Sequence, residues 1–280
     1  LFYRRFVADD KITLFSPHDV PDLYEAFGVD NEKFEELYEH YERSRSIFKR
    51  SIKARDLFNQ FCQERIGTGR MYVMNIDHCN EHSSFTDKVK MSNLCQEITL
   101  PTTPLQHIDD DDDTESEIAL CVLSAINVGA IRKLDELKDI CMNIVRSLDS
   151  VIEHQSYPVK ASRKMLKRRS IGVGITNLAY YLAKNNVKYN DKDACKVVDE
   201  LMESVQYYLI LASKELAKEK GKCEWFDRTK YSKGILPIDT YCKEVDKLTK
   251  RKLTHDWDKL RKLIKKYGMR NSTLTALMPC

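Results

Sequence analysis

The chain has no long apolar run, and its first residues do not resemble an export signal. A helix that crosses a bilayer needs about 20 consecutive apolar residues, and no run in these 280 residues approaches that length. The first ten residues, LFYRRFVADD, mix charged with apolar side chains, whereas a secretory signal peptide has an uninterrupted apolar core. We therefore expect no membrane among the partners of the chain, and a cytoplasmic location.

The chain also has no strong excess of charge of one sign. Its 46 Lys and Arg residues nearly cancel its 43 Asp and Glu residues, which leaves a formal net charge of +3. Nucleic acids attract proteins through a strong positive field, and a balanced chain does not provide one. We therefore expect no nucleic acid among the partners. The basic run SRKMLKRRS, residues 162–170, is interpreted as a solvated face.

Cysteine is present, but not in the pattern of a disulfide scaffold. The nine cysteines are scattered, without the dense, even spacing of small secreted domains, so we expect reduced thiols. His78, Cys79 and His82 lie close together in the sequence, but no second Cys or His pair at the spacing of a zinc site follows them. We interpret them as a turn with incidental polar residues and predict no metal site. A metal-binding helical protein built on these three residues is the less favoured alternative.

Strand-like and helix-like segments alternate along the chain, which is typical of α/β proteins with largely parallel strands. Strands are predicted at Arg70–Asp77, at Ile118–Ile131 and in the last segment, NSTLTALMP. The second is almost continuously apolar, as expected of a strand covered on both faces. The acidic run Asp109–Glu117 is predicted to be an exposed loop. No linker is visible, so we expect a single domain or part of one.

Four stretches predict helices. They are residues 32–65, stopped by Gly67 and Gly69; LDELKDICMNIVRSLDSVIEH; Ala194–Lys220, capped by Gly221; and WDKLRKLIKKYG, closed by Gly268. The second has an apolar stripe of Leu134, Leu137, Ile140, Ile144, Leu148 and Val151. The stretch RRSIGVGITNLAYYLAKN predicts a short strand or turn that leads into a helix. Its Gly172 and Gly174 resemble a dinucleotide-binding loop only weakly, because Asn177 occupies the third glycine position.

The stretch KMSNLCQEITLPTTP, residues 90–104, contains the residues with the most chemistry. Its two prolines disfavour a helix. In an extended segment, residues two apart project to one face, so Asn93, Cys95 and Glu97 would present an amide, a thiol and a carboxylate together. Two interpretations are open: a half-buried strand with a wetted polar face, or a site with a sulfur reactant, a base and an orienting group. The spacing does not decide between them. Cys121 lies in an apolar run, where an inert buried cysteine is the default.

The same stretch resembles the large, catalytic subunit of class I ribonucleotide reductases, of the aerobic bacterial and phage type. The resemblance rests on SNLCQEITLPTTPL followed by EIALCVLSAINVGAI. It continues through RRSIGVGITNLAYYLAK, WFDRTKYSKGILPIDTY and GMRNSTLTALMP, and upstream it includes LFSPHDVPDLYEAF and GTGRMYVMNIDHCNEHS. It covers essentially all 280 residues, and the central pair of motifs is highly specific.

The resemblance implies a fold and a reaction. The fold is part of a ten-stranded α/β barrel, with residues 90–104 as a finger loop inserted through its middle. The reaction is the reduction of ribonucleoside diphosphates to deoxyribonucleoside diphosphates. By the match, Cys95 is the transient thiyl radical, Glu97 takes the proton of the 3′ hydroxyl, and Asn93 hydrogen-bonds the substrate. All three would bind substrate, and Cys121 would be one member of a redox-active disulfide.

The resemblance also implies partners. No cofactor would be bound by this chain itself; the radical would come from a small subunit with a dimetal-tyrosyl centre, and reducing equivalents from thioredoxin or glutaredoxin. The effector domain, the second redox cysteine, the later tyrosine pair and the C-terminal cysteine pair of the family have no counterpart in these 280 residues. We therefore expect a partial catalytic domain that needs the remaining parts of the large subunit and is inactive alone.

Both ends of the sequence raise a further expectation. The chain begins with Leu1 rather than methionine, and Cys280 stands where the family has serine, so a truncated chain, a split gene and an intein interruption all remain open. The alternative function is a non-catalytic assembly or nucleotide-binding fragment of such a split or interrupted subunit. The presence of all four of Asn93, Cys95, Glu97 and Cys121 favours the enzyme.

Overall fold

The computed structural model describes residues 1–105, 115–249 and 252–278. The chain divides into two units, Leu1–Asn80 and Glu81–Cys280. Most of the predicted acidic loop and the residue Cys280 lie outside the described residues. None of the helices in the described part of the chain combines the length and the apolarity that crossing a bilayer requires.

The first unit is built around a two-stranded antiparallel ribbon. Its strands β1 and β2 pair from Lys11 opposite Lys53 to Phe15 opposite Lys49. The hydroxyl of Tyr38 on helix α3 accepts from the backbone N–H of Thr13 and donates to its carbonyl, both at 2.7 Å, and so ties the helix to β1. The elements are α1 (Phe2–Val7), β1 (Lys11–Phe15), α2 (Pro21–Ala26), α3 (Asn31–Arg43), β2 (Lys49–Lys53), α4 (Ala54–Thr68) and α5 (Ile76–His82), the last of which runs across the boundary between the units.

The prediction of one continuous helix over residues 32–65 is wrong. Helix α3 ends before Ser44, and β2 separates it from α4. The ammonium group of Lys49 donates to the carbonyl oxygens of Tyr41 and Glu42, at 2.9 and 2.5 Å. These carbonyls belong to the last turn of α3 and lack helical partners. Lys49 therefore ends the helix, and pairing of β2 with β1 overrides the helical propensity of the sequence.

The strand predicted at Arg70–Asp77 is also wrong. Residues 70–75 have no regular structure, and α5 begins at Ile76. The side chains of Met71, Tyr72 and Val73 are exposed, although their residue types suit a buried strand. In the described part of the chain no strand pairs with this segment, and an extended segment without a partner is not a strand.

The second unit has a parallel pair of strands covered by long helices. Strands β3 and β4 pair from Val122 opposite Ile171 to Asn127 opposite Thr176. The predicted parallel pairing is confirmed for this unit, whereas the pair in the first unit is antiparallel. Across the described residues the strands form two separate pairs, and neither closes into a barrel. The elements are β3 (Val122–Asn127), α6 (Leu137–His154), α7 (Lys160–Arg163), α8 (Met165–Arg168), β4 (Ile171–Thr176), α9 (Leu178–Lys184), α10 (Lys192–Lys220), α11 (Pro237–Thr240), α12 (Asp246–Thr249) and α13 (Trp257–Tyr267).

Several sequence predictions for this unit are confirmed. The GVGITN segment forms β4 and leads into α9, α10 ends at Gly221, and α13 ends at Gly268. The apolar run Ile118–Ile131 is only partly a strand: β3 is shorter, alternates in exposure and is followed by a 3₁₀ turn. The NSTLTALMP segment forms a single bridge, between Thr275 and Val173 of β4.

Helix α6 is confirmed, but its buried stripe differs from the predicted one. The buried apolar residues are Leu137, Cys141, Val145, Leu148 and Ile152, whereas Val151 is 45% exposed. Both sets of residues satisfy the helical period. Packing of α6 against α10 and β3 decides which of the two sets is buried. The sequence of the helix alone does not report that packing.

The basic run at residues 162–170 is not the solvated face that we predicted. Arg168 and Arg169 are only 3% and 5% exposed. Arg169 donates to the carboxylate of the fully buried Asp149 on α6 at 2.6 Å, and Arg270 lies 3.2 Å from the same carboxylate. Buried charges need such partners because desolvation is costly.

Gly172 and Gly174 allow the chain to pass close to β4. A Cβ at Gly172 would lie 2.7 Å from the Cβ of Ala276, and one at Gly174 would lie 2.6 Å from its carbonyl oxygen. The backbone N–H of Val173 donates to Leu274 at 2.8 Å. The glycines therefore sit inside a strand and leave room for a neighbouring segment, so the weak resemblance to a dinucleotide loop is wrong.

Replacing Asp149 by Asn should destabilise the protein by about 3 kcal/mol, because it removes the fully buried carboxylate that Arg169 and Arg270 share and leaves them only the partly exposed Glu153. Urea denaturation followed by circular dichroism measures this. Asp139→Asn, on the same helix but exposed, is the matched control and should have a much smaller effect. Equal effects of the two changes would contradict the assigned role of Asp149.

Gly172→Ala should destabilise the protein by about 1–3 kcal/mol, because the added methyl group overlaps Ala276 and Leu123. The same change at Gly67, in helix α4, meets no atom within 4 Å. It should stabilise the protein by about 0.5–1 kcal/mol through helix propensity. Thermal denaturation of both variants distinguishes the two effects, and the interpretation fails if Gly172→Ala is neutral.

Candidate active site

The Cys95 segment folds into a turn closed by Asn93. The backbone N–H of Ile98 donates to the side-chain oxygen of Asn93 at 3.1 Å, and the N–H of Asn93 donates to the carbonyl of Ile98 at 3.2 Å. Gln96 has a φ of +62°, in the left-handed region that turns use. The expectation of an extended segment with Asn93, Cys95 and Glu97 on one face is therefore wrong, although the segment is not helical either. In this structure the side chain of Asn93 closes the turn by accepting a hydrogen bond from the backbone of Ile98.

Cys95 lies at the exposed part of this turn. Its thiol is free and exposed, and the preceding residue, Leu94, is 85% exposed. An exposed thiol is accessible to reagents and partners. In this structure the segment is thus presented at an open surface, and the enclosure inside a barrel that the resemblance implies is not part of it.

Glu97 differs sharply from Cys95, two residues away. One of its carboxylate oxygens, Oε2, is buried, and among the described residues it has no hydrogen-bond partner. A buried oxygen without a partner is costly to maintain, and such a group deserves a chemical explanation. Glu97 therefore has an acceptor oxygen that no described group of the protein uses.

Cys121 lies directly before β3 and is largely shielded. Burial, and then the negative charge of Glu97, raise the pKa of its thiol to about 12. A Cβ at Gly172 would lie 3.1 Å from its sulfur atom, so the sulfur is packed against the bare face of that glycine. At neutral pH the group is therefore a protonated thiol that can donate hydrogen but is a poor nucleophile.

The structure brings some of the predicted residues together and not others. Glu97 and Cys121 are close enough for their charges to interact. Within the part of the chain that the structure describes, no hydrogen bond or disulfide joins Cys95 to Cys121, and all eight described cysteines are free thiols. The arrangement thus places a carboxylate within electrostatic range of a half-buried thiol, with an exposed thiol on the adjoining turn.

Sequence reasoning missed Arg168, which lies at the base of the same segment. Its guanidinium group pairs with Glu117 and lies 2.9 Å from Asp87. The sequence offered one signal, a basic run that follows a dense acidic run. That pattern did not identify which basic residue would be buried.

The positions of His78, Cys79 and His82 in the structure do not support the alternative of a metal site. His78, Cys79 and His82 lie on α5, so the prediction of a turn there is wrong. In residues 1–105, 115–249 and 252–278, no group of three or more His, Cys, Asp or Glu side chains is arranged to hold a metal ion.

Comparison with known proteins gives a consistent result over the whole chain. The family model "Ribonucleotide reductase, barrel domain" matches residues 1–280. The chain is 55% identical over 283 residues to the ribonucleoside-diphosphate reductase subunit alpha of Haemophilus influenzae, and 50% identical to ribonucleoside-diphosphate reductase 1 subunit alpha of Escherichia coli K12. It is 43% identical over 286 residues to the subunit alpha of Enterobacteria phage T4.

These matches cover all of this chain but only part of each relative. The chain spans 37% of the length of each of the three relatives. The family match nevertheless includes every element described above, from α1 to the segment that follows α13. The chain belongs to the ribonucleotide reductase barrel domain family.

Proposed function

We propose that the chain carries the radical site of a ribonucleoside-diphosphate reductase, within the catalytic barrel of its large subunit. The reaction converts ribonucleoside diphosphates to deoxyribonucleoside diphosphates for DNA synthesis. The observation that carries the proposal is the buried, unpartnered carboxylate oxygen of Glu97, which lies between the free thiols of Cys95 and Cys121 in the sequence. Identity of 50–55% to subunits of that name supports it.

In this proposal Cys95 begins the reaction as a thiyl radical. The radical takes the 3′ hydrogen of the ribose, so that an S–H bond forms, a C–H bond breaks and the unpaired electron moves to the sugar. The S–H bond of a thiol is weak enough to be oxidised and strong enough to return the hydrogen at the end. The exposed position of Cys95 on its turn is compatible with direct contact with a substrate.

Glu97 then acts as the general base. It takes the proton of the 3′ hydroxyl while the 2′ hydroxyl receives a proton from one of the two redox thiols and leaves as water. Its Oε2 is an acceptor with no competing protein donor among the described residues. Asn93 hydrogen-bonds the substrate and keeps the turn closed through its contact with Ile98.

Cys121 supplies one of the two thiols that are oxidised in each cycle. Two thiols lose two hydrogens and form a disulfide, and the sugar gains the corresponding two electrons. The high pKa of Cys121, about 12, suits this role because the group stays protonated until it reacts. Its disulfide partner belongs, in this proposal, to the remaining part of the large subunit.

The fold proposed for the whole subunit is a ten-stranded α/β barrel in which residues 90–104 are the finger loop. The parallel strands β3 and β4 are two of its strands, and the remaining part of the subunit encloses the Cys95 turn. Enclosure is required because a carbon radical has to be shielded from water and oxygen. The same proposal accounts for the exposure of the Cys95 turn in this chain, since the part that encloses it belongs to the rest of the subunit.

The partners follow from the reaction. They are a ribonucleoside diphosphate, the rest of the large subunit, a small subunit whose dimetal-tyrosyl centre supplies the radical, and thioredoxin or glutaredoxin for reduction of the disulfide. We infer that the site works in the cytoplasm, where thiols stay reduced.

Cys95→Ser should abolish CDP reduction, because a hydroxyl group does not form the radical that removes the 3′ hydrogen. The assay uses the complete polypeptide that contains this chain, with its small subunit and a thioredoxin system. Cys195→Ser is the matched control, since Cys195 is also an exposed free thiol but lies on α10, and it should retain activity. Full activity of Cys95→Ser would refute the assigned role.

Glu97→Gln should lower the pKa of Cys121, while leaving it above the ordinary value because burial is the larger cause. At pH 8 a thiol with a pKa near 12 is ionised about a thousandfold less than one with a pKa near 9. Alkylation of Cys121 by iodoacetamide, followed by mass spectrometry between pH 7 and 10, should therefore be slow and should accelerate in Glu97→Gln. An unchanged rate would mean that the charge of Glu97 does not reach Cys121.

A further inference from the structure

The two ends of the Cys95 segment are held to the rest of the second unit by contacts with the same buried side chain. Asp87 lies eight residues before Cys95, and Thr103 lies eight residues after it. Thr103 forms an antiparallel bridge with Glu117. Arg168 pairs with both Asp87 and Glu117, so a single guanidinium group connects the two ends of the segment.

The guanidinium group of Arg168 contacts carboxylates through its N–H groups and also lies close to two aromatic rings. Nε and Nη2 donate to the two carboxylate oxygens of Glu117, the latter at 2.9 Å, and Nη2 also lies 2.9 Å from Oδ2 of Asp87. The guanidinium carbon lies 4.7 Å from the ring centre of Trp225 and 5.4 Å from that of Phe85. Bidentate pairing together with stacking fixes the orientation of an arginine in a way that lysine does not reproduce.

The outgoing end of the segment is attached to Glu117 through the backbone. The N–H groups of Thr103 and Glu117 each donate to the other residue's carbonyl at 3.0 Å. The hydroxyl of Thr102 donates to the carbonyl of Glu117 at 2.6 Å. The side chain of Glu117 is held by Arg168, so these three bonds transmit the position of Arg168 to residues 102–103.

The incoming end is attached in a similar way. Asp87 also lies 2.8 Å from Nε of Arg228, and the N–H of Thr86 donates to the carbonyl of Arg228 at 3.0 Å. Phe85 forms an antiparallel bridge with Thr229. The incoming residues are therefore held by one isolated bridge at Phe85 and by the contacts of Asp87 with Arg228 and Arg168.

The turn itself is held by local bonds. The hydrogen bonds within residues 92–98 join Ser92, Asn93, Gln96 and Ile98 to one another. These bonds fix the shape of the turn but not its position relative to β3. The position has to be set where the segment is anchored. Val89 and Leu100 are buried near its two ends, and the charged anchors are the half-buried Asp87 and the buried Glu117 and Arg168.

We propose that Arg168 is a positioning residue that clamps both ends of the Cys95 segment and so fixes the place of Cys95 and Glu97 relative to Cys121. The inference rests on the proposed function for its effect on catalysis, but the clamp itself is a structural property. Reacting groups have to be held to within about half an ångström, and a small displacement costs up to about a hundredfold in rate.

The test compares Arg168→Lys with Arg169→Lys in the complete polypeptide. The two arginines are adjacent and similarly buried, but Arg169 pairs with Asp149 and Glu153 on α6 and not with either end of the segment. Hydrogen exchange of peptides that span residues 88–104 is the first measurement. Arg168→Lys should accelerate exchange there at least about fivefold without accelerating it in α6, whereas Arg169→Lys should leave residues 88–104 unchanged.

A second pair of variants separates the two arms of the clamp. Asp87→Asn should loosen mainly the residues before Cys95, and Glu117→Gln mainly those after it, as judged by the same exchange measurement. Arg168→Met, which keeps the bulk of the side chain without its charge, should loosen both ends. Exchange that rises equally across the whole second unit in these variants would show a general loss of stability and would overturn the clamp.

Activity gives an independent readout. Arg168→Lys should lower kcat for CDP reduction about tenfold or more, with KM within about twofold, because the substrate-binding surface stays while the reacting groups are misplaced. Unchanged kcat with accelerated exchange would overturn the positioning role. If the wild-type polypeptide reduces no nucleotide at all, the proposed function fails, while the exchange result still decides whether Arg168 clamps the segment.

Discussion

Two adjacent arginines, both buried, organise the second unit of this protein. Arg168 and Arg169 follow each other at the end of α8, and the left-handed backbone of Arg169, with a φ of +53°, directs the two side chains to different partners. Burial alone would lower the pKa of Arg168, but hydrogen bonds and charges from Glu117 and Asp87 outweigh it and raise the pKa. The charged form of Arg168 is thus stabilised by two carboxylates from separate parts of the chain.

The residues of the candidate site differ strongly in their exposure to solvent. Cys95 is exposed on a turn, Cys121 is shielded beside a strand, and Glu97 has one oxygen buried without a partner. The thiol of Cys95 can therefore be contacted by a molecule from outside, whereas the thiol of Cys121 stays protonated. For Cys121 the difference comes from burial and from the negative charge of Glu97, which together raise the pKa of its thiol.

The sequence predicted the long helices and the parallel pairing in the second unit well, and the first unit poorly. Helices α6, α10 and α13 are strongly periodic and end at glycine or at a polar boundary, so local signals are sufficient. The break between α3 and α4 depends on the pairing of β2 with a strand more than thirty residues away, which no local pattern reports. The residues of the site were identified through family resemblance, but their geometry was not, because the turn at Asn93 forms from a side-chain contact with Ile98 that alternation alone does not predict.

The bare face of Gly172 has a consequence for the chemistry of Cys121. The sulfur atom occupies the space beside that glycine where a methyl group would otherwise lie. One hemisphere around the sulfur is therefore closed by backbone, and any atom that forms a bond to it has to arrive from the side away from β4. The direction from which another group can approach this sulfur is therefore limited before any partner binds, by a strand that carries no reactive group of its own.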